Sequence, residues 1–197
     1  MNTHANRIGA AAVTAGLTLA TVLAGAAPAA AAVTTRVHFD SVDGPDLFVN
    51  ATPLREEYAG RGVHFFGPAD ADGGAVVDAV GGNWPMPART GTQILAFSTS
   101  GVLSNGGTAR WPETIRFDRK QDVVKLWVNQ VNGGADARFK LVAKRAGNVV
   151  STDVVTTDTA DWVRLRVAAG RGISRVVLRA NDPDNTWAAD DLVTLRR

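Results

Sequence analysis

The sequence predicts an all-β protein: an antiparallel jelly-roll β-sandwich of roughly ten strands. Three observations predict it. Short runs rich in Val, Ile, Thr, Phe and Trp alternate apolar and polar residues with period two. Clusters of Gly, Asn and Asp interrupt those runs after about ten residues each. Helical spacing is confined to Pro53–Ala59, enough for a turn or two.

Residues 1–32 stand apart from this pattern. A polar start with a single charge, Arg7, leads into an Ala-, Val-, Leu-, Thr- and Gly-rich stretch, and the segment closes on small residues up to Ala32. That layout is a secretory signal peptide, with cleavage expected after Ala32 and one domain over residues 33–197. A membrane anchor fits less well, because Ala and Gly dilute the apolar stretch and a cleavage-like A-x-A end follows it. No second stretch of about 18 apolar residues follows, so no membrane insertion of the mature form is expected. The 197-residue chain has no Cys, and its usage is rich in Ala, Arg, Val and Gly. Both features suit a bacterial, secreted, extracellular protein, expected as a monomer. On that reading the sequon Asn50-Ala51-Thr52 stays unmodified.

Strands are expected, in order, at Val33–Asp40, Gly62–Phe66, Ala75–Val80, Thr92–Thr99, Glu113–Phe117, Val123–Val128, Ala137–Val142, Val149–Val155, Trp162–Val167 and Ile173–Leu178, with Asp190–Val193 in the last. Asn132-Gly133-Gly134, Ala146-Gly147-Asn148, Asp158–Asp161 and Ala169-Gly170-Arg171-Gly172 supply the turns between them. Gly and Asn tolerate positive φ there, and Asp bonds its own backbone.

The charge balance is nearly even: 21 Lys and Arg against 19 Asp and Glu, a formal net charge of +2. The basic residues are scattered and alternate with apolar ones, as in Arg164-Leu165-Arg166. That alternation reads as solvated strand faces, and nucleic acid is not expected as a partner.

Four segments carry a resemblance. They are Val37-His38-Phe39-Asp40, then Glu57-Tyr58-Ala59-Gly60-Arg61-Gly62-Val63-His64-Phe65, then Val142–Val155 around Gly147-Asn148, and finally Asp190-Asp191-Leu192-Val193. In this order they resemble secreted bacterial jelly-roll β-sandwich domains, the kind found in PEP-CTERM-sorted and other exported proteins and similar to carbohydrate-binding modules. The resemblance implies a non-catalytic module that binds extracellular polysaccharide or cell-wall glycan. It also implies a structural calcium that ties the first and last strands together, with Asp40, Asp190 and Asp191 where the ligands fall. Asp43, Asp46, Asp182 and Asp184 read as turn residues. Adjacent Asp residues on one strand point to opposite faces, so one of Asp190 and Asp191 should meet the core side, where it needs a metal, an Arg or hydrogen-bond donors.

Aromatic residues offer sugar platforms. Trp127 and Trp162 lie in strand runs and are expected in the core. Trp84 lies in the Pro-interrupted loop Gly81–Pro87, and Trp84, Asn83 and Arg89 are the expected ligand contacts. Trp111 lies in a loop as well, and Trp187 is expected to fold back over an open end of the sandwich. No catalytic residue is nominated. The chain has no Cys nucleophile, no G-x-S-x-G, no H-E-x-x-H and no P-loop. Glu56 and Glu57 diverge on any regular element. A secreted protein-interaction or surface-layer domain is the alternative, and a small glycan hydrolase working from an Asp-rich rim is a more distant one.

Overall fold

A computed structural model of the chain describes residues 31–41, 52–67, 75–80, 86–97, 112–130, 136–181 and 187–197. Its ten strands are β1 (Val33–Val37), β2 (Thr52–Pro53), β3 (Val63–Phe66), β4 (Ala75–Asp78), β5 (Gln93–Phe97), β6 (Glu113–Asn129), β7 (Ala137–Arg145), β8 (Asn148–Thr157), β9 (Val163–Asn181) and β10 (Ala188–Arg196). Every pairing is antiparallel, in the order β2-β4-β5-β10-β6-β9-β7-β8, with β1 on β10 and β3 on β6. The fold is the antiparallel β-sandwich that the period-two runs predict. Only one turn of 3-10 helix, Ala59–Arg61, occurs among the described residues. It is closed by Arg61 N–H to the Tyr58 carbonyl at 2.9 Å.

Two long strands build both layers. The first half of β6 pairs with β3 and with the second half of β9, through Ile115↔Phe65 and Ile115↔Val176. Its second half pairs with β10 and the first half of β9, through Val124↔Thr194 and Val124↔Val167. Between the halves the register slips twice, from Arg116 to Gln121 and from Gln121 to Val123. Such bulges bend a strand and let it cross from one sheet to the other. Strands expected separately at Glu113–Phe117 and Val123–Val128 are therefore one strand, as are those at Trp162–Val167 and Ile173–Leu178.

The expected turn Ala169–Gly172 is likewise strand. Gly172 has the carbonyl of Ala169 where a Cβ would stand, at 2.6 Å, which is the close backbone approach of a bulge and not a chain reversal. A true two-residue turn does join β7 to β8. Ala146 and Gly147 both have positive φ, 46° and 87°, as a type I′ hairpin requires.

Alternation then sets the core. Phe65, Ile115, Leu126, Phe139, Leu141, Leu165 and Leu178 face inward and are buried in one apolar cluster. Phe39, Tyr58 and Phe65 meet edge to face, with centroids 5.9–6.1 Å apart. Trp187 is buried at the start of β10, as expected of a residue folded back on the sandwich. Trp127 differs from expectation. It falls on the outward phase of β6, between buried Leu126 and Val128, and is half-buried.

Candidate functional site

The site is organised by one irregularity in β10. Asp190 pairs with Trp127 and Val193 with Lys125, so β10 holds one extra residue between them. Asp191 takes φ 51°, a left-handed conformation that Asp tolerates better than most residues. This bulge defeats the expected divergence of neighbouring strand residues. Both carboxylates turn to a single stretch, Arg89–Thr90. Asp190 Oδ2 accepts the backbone N–H of Arg89 at 2.9 Å and of Thr90 at 3.0 Å, while its Oδ1 accepts the N–H of Asp191 at 2.7 Å. Asp191 Oδ1 accepts the Thr90 hydroxyl at 2.9 Å and lies 3.3 Å from His38 Nδ1, and its Oδ2 accepts from the Arg89 guanidinium.

Asp40 completes the hold on this segment. Its Oδ1 accepts the N–H of Thr92 at 2.8 Å and of Gln93 at 3.1 Å. Gly91 lies between the two anchor points with φ 63°, and a Cβ there would fall on the Asp40 carboxylate. Burial pushes the Asp190 carboxyl up to about 7, against the pull of its three backbone donors.

The anchored segment delivers Arg89 to the outer face of the sheet. Its guanidinium lies over the Trp127 ring, 4.0 Å from the centroid, with Asp191 bound at one edge. Around this stack runs a groove of about 330 Å³ lined by Arg36, His38, Thr90, Lys125, Asp191 and Val193. It adjoins a second depression of about 260 Å³ through the shared residues Arg36, Lys125 and Val193. The registers explain the shared wall. Arg36 pairs with Val193, Val193 with Lys125, and Lys125 with Arg166, so three cations lie in one row across four strands.

Of the expected ligand contacts, Arg89 lines the groove, while Asn83 and Trp84 lie outside the described residues. So do Trp111, Asp43, Asp46, Asp182, Asp184, the Asn50-Ala51 start of the sequon and residues 1–30 of the leader. Trp127, Arg36, Lys125 and Arg166 were not among the expected contacts. Their signal was the alternation in Val123-Val124-Lys125-Leu126-Trp127 and Arg164-Leu165-Arg166, which fixes a shared outward face once the strands are known to be neighbours.

Asp40, Asp190 and Asp191 do come to one region, but not as a calcium ligand set. Calcium takes six to eight oxygens, many of them unshared carboxylate oxygens. Here Asp190 is filled by three N–H donors, Asp191 already faces a guanidinium, and Asp40 is bonded to the backbone of Thr92 and Gln93. Among the described residues no three His, Cys, Asp or Glu side chains group as a metal site. The present arrangement does not fit the ion.

A second polar cluster lies where β3 meets β6. His64 bridges Glu56, at 2.6 Å, and Asp118, at 2.8 Å, and these two bonds raise its pKa above the ordinary histidine value. Glu56 and Asp118 are exposed and the imidazole simply joins them. No helix among the described residues is long and apolar enough to cross a membrane.

No family model matches the chain, and no curated protein matches it. Solved structures do. The K2 cleaved adhesin domain of Lys-gingipain aligns with TM-score 0.50 at 15% identity, over 82% of this chain and 99% of that one. The likeness is one of fold. The CBM22-1 xylan-binding domain of Paenibacillus barcinonensis Xyn10C aligns with TM-score 0.38 at 18% identity, over 67% and 84%. TmCBM61, solved with β-1,4-galactotriose, aligns with TM-score 0.39 at 15% identity, over 75% and 98%.

Proposed function

We propose that the chain is an exported, non-catalytic glycan-binding module whose contact surface is the groove around Arg89 and Trp127. The observation that carries this reading is the stack itself. Arg89 is fixed on one side by an aromatic ring and on another by Asp191, and its segment is pinned through the backbone by Asp190 and Asp40. A guanidinium immobilised before binding loses little entropy on meeting a ligand oxygen. The open groove beside it offers apolar Val193 and the polar groups of His38, Thr90 and Lys125, the mixture that orients a sugar. Asn83 and Trp84 are proposed to add to this contact from the loop before Met86. Hydrolysis is disfavoured because Asp190, the carboxyl with a catalytic-range pKa, is fully buried beneath the Arg89–Thr90 segment and reaches no substrate.

Titration of the protein with soluble neutral and acidic polysaccharides, followed by Trp fluorescence, tests the reading. A saturable change that weakens at least tenfold in Arg89→Ala and in Lys125→Gln supports it. Wild-type-like binding by both variants, or a flat response to every polysaccharide, overturns it. Loss in Trp84→Ala as well would bring the 81–85 loop into the contact.

A further inference from the structure

The opposite face of the sandwich poses an electrostatic problem that the groove does not solve. Across β6, β9 and β7 the Cα partners run Arg116–Arg175–Lys144, three cations side by side on one face. Two rows away on the same face Arg179 pairs with Lys140, and Arg138 stands opposite Asn181. The intervening row is Thr114–Val177–Val142, so no carboxylate interleaves the charges. None of these six basic side chains makes an ion pair among the described residues. The nearby carboxylate of Asp118, at the edge of the face, is bonded to His64. Like charges directly opposite on neighbouring strands destabilise a sheet. Six of the 21 Lys and Arg residues of a chain whose net charge is only +2 thus stand together on this face.

We propose that this face is a second binding site, for an extended carboxylate-bearing polysaccharide. Neighbouring strands lie about 4.8 Å apart and alternate residues of one strand about 6.8 Å apart. Cations on such a grid stand at distances comparable with the length of one sugar repeat. An extended polyanion lying across the strands would neutralise several at once and release its counterions, which is where the affinity arises. The face is built of the sheet strands β6, β9 and β7, and a nucleic-acid duplex is read by an element that enters its groove, so a single extended chain is favoured. Membrane docking is disfavoured because Val142 and Val177 are nearly buried and the exposed Val149 and Val154 on β8 are short side chains with little area to insert. A depression of about 210 Å³ among Lys140, Lys144 and Arg179 provides the point of closest fit. The site is independent of the groove. Together the two faces would make the chain bivalent.

The test uses the full chain with polygalacturonate as the probe, and with duplex DNA and phosphatidylserine vesicles in parallel. Binding to polygalacturonate should weaken steeply with added salt. The Lys140→Gln, Lys144→Gln, Arg179→Gln variant should lose at least tenfold in affinity and flatten the salt dependence, with its melting temperature unchanged or raised. Equal binding by variant and wild type overturns the proposal, as does no wild-type binding at low salt. Tighter binding to DNA or vesicles than to polygalacturonate overturns it too, by assigning the face to another polyanion. Lys125→Gln, in the groove, separates the two readings. Its loss of neutral-glycan binding with polygalacturonate binding retained leaves this site standing on its own.

Discussion

Asp190 holds Arg89 by its backbone, accepting its N–H at 2.9 Å across 101 positions of sequence. The same oxygen accepts Thr90 N–H, and the carboxyl is fully buried. Removing it leaves the part-buried N–H groups of Arg89 and Thr90 and the buried N–H of Asp191 without this acceptor, at about 1–3 kcal/mol for each group left unsatisfied. Asp190→Ala is therefore expected to cost about 3 kcal/mol and to lower the melting temperature by roughly 6–12 °C. Asp190→Asn keeps one carbonyl acceptor and should cost less than half as much. Thermal unfolding of the two variants checks the order, and an Ala variant as stable as wild type would remove Asp190 from the anchoring role.

Stability should fall as pH rises from acid to neutral. Three groups act in that direction: Asp190 and Glu113, raised by burial, and His64, raised by its hydrogen bonds to Glu56 and Asp118. A raised folded pKa means that the native state holds its proton more tightly than the unfolded chain. For Asp190 this stabilisation is complete below the ordinary carboxyl value of 3.8 and is lost as pH passes through about 7. For His64 it is complete below 6.5 and is lost above that value. Melting temperatures are expected to decline from pH 5 to pH 8. Asp190→Asn should flatten the part of the decline below neutrality. A profile that rises from pH 5 to 8 would contradict the burial effect.

The parts of this structure readable in the sequence are those governed by period-two alternation. Leu165 reads as a core residue because its neighbours Arg164 and Arg166 are charged, and that needs no partner strand. Three things were not readable for one shared reason, since each depends on which strands are adjacent. The continuity of β9 through Ala169–Gly172 is a bulge that looks like a turn until β6 pairs on both sides of it. The convergence of Asp190 and Asp191 follows from φ 51° at Asp191, a backbone choice that Asp merely permits. The basic rows Arg36–Val193–Lys125–Arg166 and Arg116–Arg175–Lys144 arise from register alone. Along the chain those cations are scattered, and only pairing assembles them.

Calcium should leave the fold indifferent. Its expected ligands Asp40, Asp190 and Asp191 carry eight contacts from N–H, hydroxyl, imidazole and guanidinium groups, and a calcium ion would have to displace several of them. Melting temperatures in excess calcium and in chelator are expected to agree within about 1 °C. A calcium-dependent rise of several degrees, abolished by Asp40→Asn or Asp190→Asn, would establish the metal and require the Arg89–Gln93 segment to rearrange around it.

Glu113 offers the clearest stabilising change. It opens β6 on the inward phase, is fully buried, and pairs with Leu178, which pairs in turn with Leu141. Neither carboxyl oxygen has a hydrogen-bond partner among the described residues, and burial raises its pKa well above the ordinary value. A carboxyl placed beside leucines holds its proton more tightly and forgoes the hydrogen bonds it had in water. Glu113→Leu, similar in volume and free of polar atoms, should raise stability by about 1–3 kcal/mol at neutral pH. For a domain of this size that is roughly 2–8 °C in melting temperature. Glu113→Ala should lose stability instead, because it leaves a cavity beside Leu178. The Leu variant should also lose the share of the alkaline decline that Glu113 contributes. Calorimetry at pH 5 and pH 8 reads both effects, and a Leu variant less stable than wild type would mean that the carboxyl has an unrecognised role at the mouth of β6.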